Sequence, residues 1–280
     1  VSDGIDRHPD LDPDQSCGFG SALKGKGGVG MILILGAVFV ILFVLLGGDR
    51  GLRSLGALLI NVAVFLLDIK ALEHGFPAYL VTLITVSLMS VTILFVQNGY
   101  NLKTRATLVS LAVVTVFIFF LALLVAHGAK ISGYNELNMY EDETAMLAGH
   151  VSINMTAAAV AMVIVGIVGA VIDVAIAVSS AVYEVKCKNP ELTERELLAS
   201  GFRMGGNILG TTVNTLLFAG LGESLLMYLE MKELHYTFGQ LLNSKAFFQM
   251  LFPVMMSAIG CVCIVPVAAW IMGNFVKKYQ

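Results

Sequence analysis

Residues 144–183 read TAMLAGHVSINMTAAAVAMVIVGIVGAVIDVAIAVSSAVY, and the one formally charged side chain in that stretch is Asp173. A membrane crossing needs about 20 mostly apolar residues in a helix. As one helix from Gly149 to Glu184, the segment would have 36 residues and be about 54 Å long at 1.5 Å per residue. That exceeds a ~30 Å hydrocarbon core. The excess is expected to project into the cytoplasm at one end and to lie along the outer interface over His150–Met155 at the other.

The same reading extends outward along the chain. Uncharged runs at 31–48, 75–102, 106–129, 204–222 and 246–276 are each long enough for a span. The run at 54–67 is short and must take in Asp68 near its end. The count is seven crossings, and the predicted fold is an all-α polytopic bundle over residues 31–276. Residues 1–30 are rich in Asp, Gly and Pro and poor in large apolar side chains, so they are expected to form a poorly ordered polar segment.

Composition agrees. Of 280 residues, 57% are hydrophobic and 13% charged, against roughly a quarter charged in a soluble domain. Mean hydropathy is +0.84, and the net charge of −3 offers no basic surface for nucleic acid. A cytosolic enzyme and a nucleic-acid-binding module are both excluded. The four cysteines, Cys17, Cys187, Cys261 and Cys263, do not make a disulfide framework. Lys24-Gly-Lys26-Gly-Gly-Val-Gly30 lacks the Lys-Ser/Thr ending of a phosphate loop. His74, His127 and His150 have no metal-ligand spacing, and no nucleophile–base pair is visible. No catalytic residues, cofactor or metal are therefore expected, and the chain does not read as an enzyme.

Orientation follows from the positive charges of the connections. Ten Lys and Arg residues fall on the side that holds Lys103, Lys186 and Lys277, and seven on the other, which also carries the acidic loop Glu136–Glu143. This bias puts the C-terminus and the connection between spans five and six in the cytoplasm, with the N-terminus outside.

An ionisable group inside a membrane is a functional candidate by default. Asp173 has no cation within ten residues on either side. Its own helix repeats polar groups at Ser180 and Glu184, seven and eleven residues on, while Gly166 and Gly169 leave room for another helix to approach. In span six, Asn207, Thr211 and Asn214 stand at i, i+4 and i+7, with Thr215 beside them. The two stripes are expected to pack together, with Asp173 turned inward near mid-membrane. Asp173 then reads either as a proton carrier or as a hydrogen-bonding anchor between helices. Asn61 and Asp68 (i, i+7) and Glu223 are lesser candidates, the two acids being placed near the interfaces and expected to be solvated.

The stretches GIVGAVIDVAIAVSSAVYEV (166–185), KNPELTERELLASGFRMG (188–205) and NILGTTVNTLLFAGLG (207–222) resemble the YibE/F family of bacterial multispanning membrane proteins. Weaker similarity covers 47–61 and 97–108, so the likeness spans about 47–274. Family proteins often carry Arg-Asp where this chain has Gly206-Asn207. More distantly, the Gly-x-x-x-Asp of 169–173, Glu184, Ser200-Gly201-Phe202 and Thr211-Thr212-x-x-Thr215 is similar to SecD/SecF and the wider RND permeases. That resemblance implies a half-permease of the bacterial cytoplasmic membrane, paired with its own copy or with a YibE-type partner. It also implies proton coupling at the position of Asp173. The large external substrate-handling domains are missing, so no substrate carries over. A non-transporting scaffold subunit is the alternative expectation.

Overall fold

The computed structural model describes residues 26–129 and 155–279. The acidic loop and His150 lie outside the described residues, as does the polar segment as far as residue 25. Residues 26–30, read as part of that segment, belong to the first helix. All secondary structure among the described residues is helical. The elements are α1 (Lys26–Glu73), α2 (Ala78–Val91), α3 (Leu102–Gly128), α4 (Met155–Lys188), α5 (Glu194–Glu233), the short α6 (Phe238–Leu242) and α7 (Lys245–Tyr279). A π-helical turn, Thr92–Gln97, extends α2. Valine and isoleucine disfavour helices in water, yet in hydrocarbon a helix is one of the few ways to satisfy every backbone group.

Six of these helices are long and apolar enough to cross a membrane. The seven expected runs become six helices because the first two share α1. That helix is not continuous: Gly48 has φ 52° and ψ −137°, a conformation open mainly to glycine. Beyond it the chain folds back, so that a Cβ on Gly51 would collide with the Phe43 carbonyl oxygen. Eight residues of unbroken helix would instead separate the two by about 12 Å. The two runs are distinct helical segments meeting at a glycine break.

The chain divides into two compact units after Leu55. In the first, residues 31–50 are exposed along their whole length, and Phe39 stacks on Phe43 at 5.4 Å. In the second, α4 is central and packs on α2, α3, α5 and α7. Ile118, Ile164, Ile172, Ile264 and Met272 are fully buried there. Small residues set the closest approaches. A Cβ on Gly260 of α7 would lie 2.9 Å from Val171 Cγ2 of α4, and one on Gly201 of α5 would lie 2.8 Å from Ala269 Cβ and 2.9 Å from Val182 Cγ2. Gly205, one turn further along α5, faces Val265 equally tightly.

Helix α5 is longer than the uncharged run 204–222. It starts after Thr193, whose backbone N–H donates to Glu196 Oε2 at 2.9 Å in a reciprocal capping box. It continues to Glu233, just before His235, whose φ is 62°. Arg203 and Glu223 interrupt the apolar run but not the helix, because both are exposed on its surface.

One end of the second unit is tied by charge. Lys103 at the start of α3 pairs with Glu184 near the end of α4 at 3.1 Å and sits 5.0 Å over the Tyr183 ring. Lys277 of α7 pairs with Glu194 of α5. Lys186 Nζ donates to the carbonyls of Pro190 (2.7 Å) and Leu192 (3.1 Å), closing the α4–α5 connection. Residues assigned to one membrane side from their charge are thus gathered at one end of the bundle.

Candidate intramembrane acid sites

Asp173 stands midway along α4, fifteen residues before Lys188 and eighteen after Met155. It is exposed, as are Gly166 and Gly169, while the residues between them are mostly buried. A Cβ on either glycine would meet no atom within 4 Å. Gly166, Gly169, Asp173, the half-buried Ser180 and the exposed Glu184 form one line along a helix otherwise enclosed by its neighbours. Among the described residues, the line is open at its two glycines and is closed at Glu184 by the ion pair with Lys103 of α3.

The expectation that Asp173 turns inward toward span six is not met in the single chain, and the helix geometry gives the reason. Helix α4 seats α7 through Val171, two residues from Asp173 and therefore about 200° around the helix. It seats α5 through Val182, nine residues away and about 180° around. Both neighbours lie on the face opposite the carboxylate.

The span-six stripe is equally outward. Asn207, Thr211, Asn214 and Thr215 are exposed. Thr211 Oγ1 donates to the Ile208 carbonyl at 2.9 Å and Thr215 Oγ1 to the Thr211 carbonyl at 2.9 Å. Both hydroxyl protons are spent on their own helix, a common arrangement for threonine in apolar helices. Counting nine residues from the Val182–Gly201 contact in each direction puts Asp173 about level with Gly210. The two stripes share a depth but no hydrogen bond.

A second acid behaves differently. Asp68, expected to be solvated, is only 5% exposed. Thr85 Oγ1 of α2 donates to its Oδ1 at 2.8 Å. Thr85 and Thr82 are also buried, and Thr82 Oγ1 donates to the Ala78 carbonyl at 2.8 Å. Asn61, two turns before Asp68, has a buried Oδ1 with no hydrogen-bond partner. Counting uncharged runs gives the depth of Asp68 but not the direction it faces. The signal available in the sequence was the Asn61–Asp68 spacing, followed by Thr82 and Thr85 just past a tight turn. That turn closes with Phe76 N–H bonded to the Ala71 carbonyl at 3.2 Å around Gly75, whose φ is 79°. Glu223, the other lesser candidate, is exposed.

The family model for YibE/F-like protein matches residues 35–278, from within α1 to the penultimate residues of α7. The chain belongs to the YibE/F-like family. No curated protein and no solved structure matches the chain. The family match contains both acid sites, five of the six candidate spans in full and the first from residue 35 onward.

Proposed function

We propose that this chain is one half of a membrane permease, completed by a second copy or a YibE-type partner, in which Asp173 carries a proton. The observation behind the proposal is the open line Gly166–Gly169–Asp173 on the central helix. An ionised side chain against hydrocarbon costs about 2.5–3.5 kcal/mol on insertion scales. Glycines that leave space beside such a residue favour the close approach of another helix. A facing protomer would cover the carboxyl, and a carboxyl shielded in this way is suited to carrying a proton as a neutral group. The resemblance to RND permeases, in which paired halves couple transport to an intramembrane acid, supports the same reading. On this reading the chain is not an enzyme. It acts in the bacterial cytoplasmic membrane on a small solute or ion, needs no cofactor, and its C-terminus is cytoplasmic.

The test is pH-driven flux in proteoliposomes containing the purified complex, native against Asp173→Asn. Loss of pH-linked flux in a variant that still assembles supports the half-permease. Unchanged flux removes Asp173 from the coupling, and absence of flux from the native complex favours a scaffold subunit.

A further inference from the structure

The α1–α2 hairpin holds a carboxyl that the half-permease reading does not use. We propose that Asp68 and Thr85 form a proton-exchange site in the seam between α1 and α2, distinct from Asp173 and independent of whether the chain transports anything.

The argument begins with which face of the helix is covered. Over residues 56–73, α1 buries a narrow line: Ala57 and Asp68 are buried and Asn61 and Val64 half-buried, while Leu58, Leu59, Val62, Phe65, Leu66 and Leu67 are exposed. Most of the large apolar side chains point outward, while Asp68 is turned to Thr85 of α2. That is the pattern of a helix whose outer face meets lipid and whose inner face holds a polar site.

The chemistry of the pair favours exchange over a fixed charge. Thr85 donates the hydrogen bond to Asp68, and no cation pairs with this carboxyl among the described residues. A lysine or arginine partner would hold the group ionised, since neither can accept a hydrogen bond. A threonine hydroxyl can both donate and accept. With Asp68 ionised, Thr85 O–H donates to Oδ1. When hydronium delivers a proton to the carboxylate, a water molecule is released, the carboxylic O–H becomes the donor, and the rotated Thr85 oxygen accepts. Reversal returns the proton to water. One hydrogen bond thus serves both states. Thr82 is no second donor, because its proton is held by the Ala78 carbonyl.

The position is near the end of the helix. Asp68 lies five residues inside the end of α1 at Glu73, about 7.5 Å along the axis. Lys70, Glu73 and His74 are exposed at that end, and Tyr79 is the one titratable residue on α2. Two turns before Asp68, the unpaired Asn61 Oδ1 is an acceptor that a buried water would satisfy.

The experiment is an infrared pH titration of the full chain in lipid nanodiscs, with carbon-13 at the aspartate carboxyls to assign the bands. A carboxylic C=O band should grow on acidification, vanish in Asp68→Asn, and move to higher frequency in Thr85→Val as its hydrogen bond is lost. Thr85→Ser should restore the native frequency. The proposal is overturned if the Asp68→Asn titration superimposes on the native one, or if the Asp68 band is constant across the titration. A band indifferent to Thr85→Val overturns the role of the hydroxyl, and this arm remains readable should Asp68→Asn fail to fold. Loss of transport at Asp173 would alter none of these bands.

Discussion

A carboxylate on the open side of α4 and one in the α1–α2 seam call for opposite responses to substitution. Asp173 lies on an uncovered line, so replacing it with leucine should leave the single chain folded and remove a charge penalty of about 2.5–3.5 kcal/mol. Thermal unfolding of the isolated chain in detergent should give Asp173→Leu a melting temperature equal to or above native, while the pH-linked flux that the half-permease proposal expects should be lost. A marked fall in stability would mean that the carboxylate already has a structural partner inside the chain. Thr85→Val should behave in the reverse way. It leaves the buried Asp68 without its donor, at a cost of about 1–3 kcal/mol, and Thr85→Ser should recover most of it. Equal melting temperatures for the valine and serine variants would refute that assignment. Both acids were visible in the sequence as charges inside apolar runs. Their surroundings were not, because a single residue's direction depends on which face its neighbours choose. Val171 and Val182 decide it for Asp173, and nothing in their identity marks them as contact residues.

At the scale of helices, glycine performs two separate tasks. Gly201 and Gly205 on α5 are seams within the chain, pressed against Ala269, Val182 and Val265. Gly166 and Gly169 on α4 face open space. The spacing of small residues is similar in both helices, so the sequence could name the stripes but not their occupants. Substitution distinguishes them. Gly205→Leu would drive a large side chain into Val265, and overpacking of this kind typically costs about 1–3 kcal/mol or more. Size-exclusion chromatography with thermal unfolding should show a destabilised or aggregated chain. Gly169→Leu meets no atom within 4 Å of the new Cβ, so the chain should fold at native yield, while a complex formed through this line, as proposed, should fall apart. Crosslinking that recovers native amounts of the complex from Gly169→Leu would remove this line as an interface. The boundaries of α5 teach a related lesson. Thr193 and Glu196 form a capping signature readable in the sequence, whereas a count of uncharged residues stops at Arg203.

For the whole molecule, the uncharged runs gave nearly all of the topology. The exception is α1, in which two of the expected runs share one helix broken at Gly48. The sidedness of the bundle can be tested from the ends that the ion pairs define. Lys103, Glu184, Lys186, Glu194 and Lys277 meet at one end, where Cys187 is exposed. The α1–α2 turn at His74 precedes α2, and α2 runs from there toward the start of α3 at Lys103, so the turn lies at the opposite end. The positive-charge bias assigns the Lys103 end to the cytoplasm. In a chain with Cys17 replaced by serine, a membrane-impermeant thiol reagent applied to intact cells should therefore spare Cys187 and label it only after permeabilisation. A cysteine substituted for the exposed His74, in a background with Cys187 also replaced by serine, should be labelled without permeabilisation. Cys261 is buried and Cys263 half-buried within α7, so neither should compete strongly for the reagent. Labelling of Cys187 in intact cells, with protection of His74→Cys, would invert the bundle. It would also place the end of α1 nearest Asp68 on the cytoplasmic side.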